Sequence, residues 1–145
     1  MVLLNPVHIL FPIVAMVTLV VIVVVKLFRS RVRSVRRRDI SLEYFKLFQG
    51  SEEPEEIRAL SRHYANLFEL PILFYVACIV AYVSVQVDLW LVLLAWLFVI
   101  SRYVHCYIHL TSNIVIHRVR IYGIGLVILV LMWLTLTIRL VILAL

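Results

Sequence analysis

Four apolar stretches of about 20 residues or more dominate this sequence, and a run of that length at ~1.5 Å per residue is what a helix needs to cross a bilayer. They run from about Val7 to Leu27, Leu67 to Val87, Leu89 to Leu110 and Ile121 to Leu143. In a chain of 145 residues they leave little else. Hydrophobic residues make up 65% of it, charged residues 15%, and the mean hydropathy is +1.10. A water-soluble protein this small has too much surface to cover with so few polar groups. The same numbers exclude intrinsic disorder and a disulfide-rich secreted scaffold. The expected fold is all-α and integral to the membrane: one domain over residues 1–145, four transmembrane helices in an antiparallel bundle.

The first stretch does not fit a cleaved signal peptide. It has no basic residue before it, no small-residue cleavage site after it, and too long an apolar run. It is expected to stay as a helix. Pro12 and Pro71 fall inside spans, where a kink is tolerated if neighbours satisfy the freed carbonyls.

Basic residues set the orientation. The connection at 28–53 holds Arg29, Arg31, Arg33, Arg36, Arg37, Arg38 and Lys46, with Arg58 just beyond, and the connection at 111–120 holds Arg118 and Arg120. The turn around Gln86-Val87-Asp88 has none, and the C-terminal end has only Arg139. Both basic connections are therefore expected in the cytoplasm, with both termini on the other side. The net charge of +6 comes mainly from the arginine cluster. Directly after a span, that cluster reads as topogenic and in contact with anionic headgroups rather than as a nucleic-acid site. Beyond it, Leu42, Tyr44, Phe45, Leu47 and Phe48 form an aromatic stretch suited to the interface. Gly50-Ser51-Glu52-Glu53-Pro54-Glu55-Glu56 is a helix-start signal, so the second helix is expected to run from near Pro54 to about Val87. Cys78 and Cys106 lie in spans and read as buried apolar thiols.

The informative residues are the polar ones that lie in lipid. Arg62, Asn66 and Glu69 are spaced i, i+4, i+7, and Arg102, His105 and His109 are spaced i, i+3, i+7. At about 100° per residue each set falls within about 60° on one helix face. The second helix enters from the cytoplasm and the third returns to it, so Glu69 and Arg102 are expected at similar depth and as an ion pair. Unpaired charges in mid-bilayer cost at least ~2.5–3.5 kcal/mol each. Interhelical glue is one account of these groups. The other is a charged-solute pocket opening to the cytoplasm, and two arginines, a carboxylate, a carboxamide and two imidazoles exceed what one helix pair needs for glue. The His105/His109 pair, at i, i+4, suits a metal, but no Cys or carboxylate cluster accompanies it, so no metal site is expected. No nucleophile–base–acid set and no Gly-rich phosphate loop occurs.

Arg62-His-Tyr-Ala-Asn66-Leu-Phe-Glu69-Leu-Pro71 resembles the Arg-x-x-x-Asn-x-x-Glu signature of the MAPEG family, the membrane-associated proteins in eicosanoid and glutathione metabolism. Arg102-Tyr-Val-His105 resembles that family's third-helix motif, and Arg118 stands where several members carry a catalytic arginine. The resemblance runs from about Pro54 to Arg139. It implies a homotrimer, probed by lipophilic substrates from surrounding membrane lipids, with glutathione as co-substrate between protomers. It implies that Arg62, Asn66, Glu69, Arg102 and His105 bind the peptide and that Arg118 stabilises its thiolate; His109, on the same stripe as Arg102 and His105, is a further candidate for binding. One residue departs from the pattern: His109 stands where members commonly have tyrosine. The expected activity is a glutathione-dependent transferase or peroxidase acting on lipophilic electrophiles or lipid hydroperoxides, in a bacterial inner membrane. The alternative is a non-catalytic membrane subunit, with other membrane subunits as partners, or a lipid or small-thiol binder. No nucleic-acid partner is expected.

Overall fold

A backbone in lipid closes its hydrogen bonds within the helix, and the computed structural model shows each apolar stretch doing so. It describes residues 4–41, 44–47 and 53–145, with the side chains of residues 46 and 47 excepted. A 3-10 turn, Pro6–Ile9, leads into α1 (Leu10–Arg36); α2 (Tyr44–Leu47), α3 (Glu55–Asn66), α4 (Leu70–Val83), α5 (Leu89–Leu110) and α6 (Val115–Ala144) follow. No strand occurs among the described residues. Four segments are long and apolar enough to cross a membrane: Pro6–Arg36, Glu55–Val83, Leu89–Leu110 and Val115–Ala144.

The bounds differ from those expected in three places. The first helix does not stop near Leu27 but carries its basic residues out to Arg36, and the chain turns at Arg38 with φ 63°. The fourth begins at Val115 rather than Ile121, so Arg118 and Arg120 lie in its opening turns instead of in a connection. The second is not one helix to Val87. It ends at Val83 and is broken between Asn66 and Leu70. Pro71 explains the break: it has no N–H to give, and its ring crowds the carbonyl four residues back. The chain tightens before it, with Leu67 N donating to Tyr64 O at 3.1 Å and Phe68 N to Ala65 O at 2.9 Å. Pro12 causes no such break because it sits in the first turn of α1, where amides have no helical acceptor.

α3 starts beside Pro54 with Glu55 and Glu56 in its first turn, where carboxylates favour the helix dipole. Gly50, Ser51 and Glu52 of the start signal, and Leu42 and Phe48 of the aromatic stretch, lie outside the described residues. Tyr44 and Phe45 are half-buried, and the Arg31 guanidinium lies 5.5 Å from the centre of the Phe45 ring.

α5 and α6 pack along their lengths, α4 lies against α6, and α1 covers α3, α4 and α5. The core they enclose includes Met16, Phe74, Cys78, Phe98, Leu129 and Met132, with Phe74 and Phe98 stacked at 4.6 Å. Cys78 and Cys106 are free and buried. The outward faces of α1 and α6 are valine, leucine and isoleucine, as lipid contact requires.

At the α4–α5 turn the two mostly buried charges are paired. Asp88 caps α5 by accepting from Leu91 N at 3.0 Å. Arg139, from the far end of α6, donates to Asp88 Oδ2 at 2.7 Å and to Gln86 O at 3.1 Å. Leu4 N closes the corner on Val87 O at 2.9 Å.

Candidate functional site

The polar residues of the opposite, basic end come from α3, α5 and α6. Arg62 and Asn66 of α3 and Glu69 in the break before α4 form an outward row, with Arg62 and Glu69 exposed and Asn66 half-buried; because of the break, helical spacing alone does not align Glu69 with the other two. Arg102, His105 and His109 also share a stripe, but it faces inward, and all three are buried. The two sets therefore form an outer and an inner layer rather than one pocket between two helices.

The expected Glu69–Arg102 ion pair is not made. Tyr122 of α6 stands between them. Its hydroxyl donates to Glu69 Oε2 at 3.2 Å, and its ring lies 5.3 Å from the Arg102 guanidinium carbon. The Phe98 ring approaches the same carbon at 5.2 Å. Arg102 also donates through Nη2 to Ile121 O at 3.1 Å and Tyr122 O at 3.3 Å, and through Nε to Ser101 Oγ at 3.2 Å. Carbonyl dipoles and two aromatic faces thus carry a charge that a carboxylate was expected to carry. The approach to α6 needs a glycine: a Cβ on Gly125 would overlap Arg102 Nη2 and lie 2.7 Å from Ser101 Oγ.

His63, one residue past Arg62, turns the other way into the bundle and is fully buried. It completes a cluster of three imidazoles. Ring centres are 4.8 Å apart for His63 and His109, 5.7 Å for His63 and His105, and 6.0 Å for His105 and His109. None of the six ring nitrogens has a hydrogen bond of good geometry; His105 comes nearest, toward the backbone of Arg118. A neutral imidazole has one donor and one acceptor to satisfy, and a buried polar group left alone costs ~1–3 kcal/mol. Three such rings together are an expensive thing to keep in a membrane bundle. Among the described residues no group of three or more His, Cys, Asp or Glu side chains is arranged to hold a metal ion.

Arg118 is half-buried at the end of this cluster, its Nη1 donating to Asn113 Oδ1 at 2.9 Å and its Nε buried without a partner. It acts electrostatically on all three histidines, and Arg62 acts on it. A cavity of about 370 Å³ opens between α1, α3 and α5, with Glu55, Glu56 and Lys26 around it and His109 in its wall. A larger cavity of about 530 Å³ between α1 and α2 is lined, among the described residues, by Phe28, Val32, Val35 and Phe45 with Arg31 and Arg36.

Sequence reasoning missed two members of the site. Tyr122 had a signal: Arg118, Tyr122 and Gly125 repeat the i, i+4, i+7 spacing that marked the other helices. His63 had none beyond being a histidine in a span, because its neighbour Arg62 belongs to the opposite face.

Helices of this length around a buried cationic and imidazole cluster define a polytopic membrane protein with a polar site at one end of its bundle. The family is equally definite. Residues 9–138 match the model of the MAPEG family, and the chain belongs to that family. It is thus an integral membrane protein related to those of eicosanoid and glutathione metabolism. No curated protein and no solved structure matches it.

Proposed function

We propose that the protein is a glutathione-dependent transferase or peroxidase that acts on lipophilic electrophiles or lipid hydroperoxides. The observation that carries this reading is the outward stripe Arg62–Asn66–Glu69 beside Arg118, at one end of a membrane bundle. Glutathione has two carboxylates and one ammonium, and the stripe offers guanidinium, carboxamide and carboxylate groups to match. Arg118 favours the thiolate over the thiol, which makes sulfur the nucleophile. Arg102, His105 and His109 act from the inner layer, holding Tyr122 and Arg118 rather than touching the peptide. An outward stripe is completed by a neighbouring protomer, so a homotrimer with glutathione between subunits fits. The basic end faces the cytoplasm by the positive-inside rule, and both termini face away. A lipophilic substrate reaches the sulfur sideways from the bilayer.

The test is direct. Purified protein in detergent should bind glutathione and develop thiolate absorbance that Arg118→Ala removes. A well-folded sample that binds nothing at millimolar glutathione overturns the proposal.

One observation favours a second reading, a non-catalytic membrane subunit or lipid or small-thiol binder. His109, at the position where the family commonly carries tyrosine, points into the bundle and away from the outward stripe. On that reading Arg118→Ala is silent and a fixed partner co-purifies.

A further inference from the structure

We propose that the buried histidines form a proton path, which carries the thiol proton of the bound co-substrate through the bundle to the cavity at His109. The idea rests on the glutathione reading above and adds an exit route to it. The observation behind it is a continuous string of ionisable groups. Glu69 is exposed on the outer face and is hydrogen-bonded to the Tyr122 hydroxyl at 3.2 Å. The Tyr122 ring lies 6.0 Å from that of His105, His105 lies 5.7 Å from His63, and His63 lies 4.8 Å from His109. His109 borders the cavity whose mouth carries Glu55 and Glu56. One end of the string is therefore at the candidate peptide site, the other at water, and its middle is closed to both.

The spacing suits transfer. Two imidazoles that share an N–H···N bond of ~3 Å have ring centres about 5 Å apart, and one water between them adds under ~3 Å. The three histidine spacings fall within that range; the His63 and His105 rings lie face to face at 26°, so transfer between them requires one ring to turn about its Cβ–Cγ bond and bring the nitrogens into line. A structural role predicts the opposite arrangement, with each ring nitrogen fixed on a backbone or side-chain partner, and none of the six is so fixed. Histidine also suits the task because its two nitrogens can accept on one side and donate on the other. Arg102 and Arg118 both act on His63 and His105, Arg118 and Arg62 act on His109, and Lys26 stands by the cavity.

The chemistry balances without a co-reactant. The S–H bond breaks and its electron pair stays on sulfur, facing Arg118. The proton goes to the Glu69–Tyr122 pair. A proton then passes from the phenol oxygen to His105, on to His63 and His109, and from His109 to water in the cavity. Each group ends with the proton count it began with, each imidazole is left as its other tautomer and resets when its ring turns, and nothing is oxidised or reduced.

The experiment mixes the full-length protein with glutathione in weakly buffered detergent solution containing a pH-indicator dye. It follows thiolate absorbance and proton release together. S-methylglutathione, which has no thiol proton, reports binding alone. His63→Leu and His63→Gln should each slow thiolate formation and proton release by about tenfold or more, with S-methylglutathione affinity kept within about twofold. Wild-type rates in either folded variant overturn the path and leave the glutathione reading standing. Slow rates accompanied by weakened S-methylglutathione binding mark His63 as structural and also overturn it. If wild-type protein fails to bind S-methylglutathione, the underlying reading fails and the path falls with it. Should neither His63 variant fold, His63→Asn decides by the same criteria.

Discussion

The two ends of the bundle solve the same problem differently. At the α4–α5 turn, Asp88 and Arg139 are mostly buried, and each finds full partners: the guanidinium bonds Asp88 and Gln86 O, and the carboxylate also caps α5. At the basic end three imidazoles and the Nε of Arg118 are as deeply placed and have none. A membrane protein satisfies polar groups that serve only its fold. The turn end is therefore architecture, and on the function proposed above the basic end is where the chain accepts a cost for its chemistry.

Mutations should separate the two ends. The largest effect expected is that of Arg118→Ala on chemistry. Thiolate absorbance and turnover with a model electrophile should fall by about 10²–10³-fold, equivalent to about 3–4 kcal/mol, with little change in unfolding temperature. A variant that retains activity would remove Arg118 from the site.

Asp88→Asn should do the reverse. It leaves Arg139 with a weakened partner in a largely buried position and should cost about 3 kcal/mol of stability, while glutathione affinity stays the same. pH sharpens the point. Burial alone would push the Asp88 carboxyl up, but the Arg139 and Leu91 hydrogen bonds together hold it below the usual carboxylate range. A depressed folded value means that its stabilisation is complete above the ordinary carboxylate pKa of about 4, and is lost as pH falls through the depressed value. Thermal unfolding from neutral to strongly acidic pH should show this loss in the wild type and not in Asp88→Asn.

Gly125→Ala comes next, at about 2 kcal/mol. The added methyl displaces Arg102 from Ile121 O and Tyr122 O, so both the unfolding temperature and glutathione affinity should drop. A silent substitution would show that Arg102 finds equivalent bonds elsewhere. The smallest effect on stability is that of His63→Leu, under about 1 kcal/mol in either direction, because it removes two polar atoms that have no partner. A loss of several kcal/mol would place His63 among the architectural residues of the turn end.

The spans were legible because bilayer thickness and backbone hydrogen bonding act on local runs of residues, which a sequence displays. The start of α3 near Pro54 was legible for the same reason. The Glu69–Arg102 pair was not, although the two residues were assigned a common depth. Depth follows from counting residues along an axis. Whether two side chains meet depends also on how each helix is rotated, and that is set by packing of α5 on α6. Arg102 turned toward the carbonyls of Ile121 and Tyr122, Glu69 stayed outside at the Pro71 break, and Tyr122 filled the gap. The histidine cluster was hidden likewise: His63 and His105 come from different helices, and no spacing within either one announces their meeting.

The contact between Arg102 and Gly125 constrains the order in which this sequence can change. A side chain at 125 occupies space that the guanidinium already fills. Position 125 can therefore enlarge without penalty only in a descendant whose residue 102 has first become shorter and whose Ser101 hydroxyl has turned aside. The reverse order passes through an intermediate with a displaced arginine. The two positions behave as one heritable unit with a one-way door, and a lineage that keeps its arginine keeps its glycine.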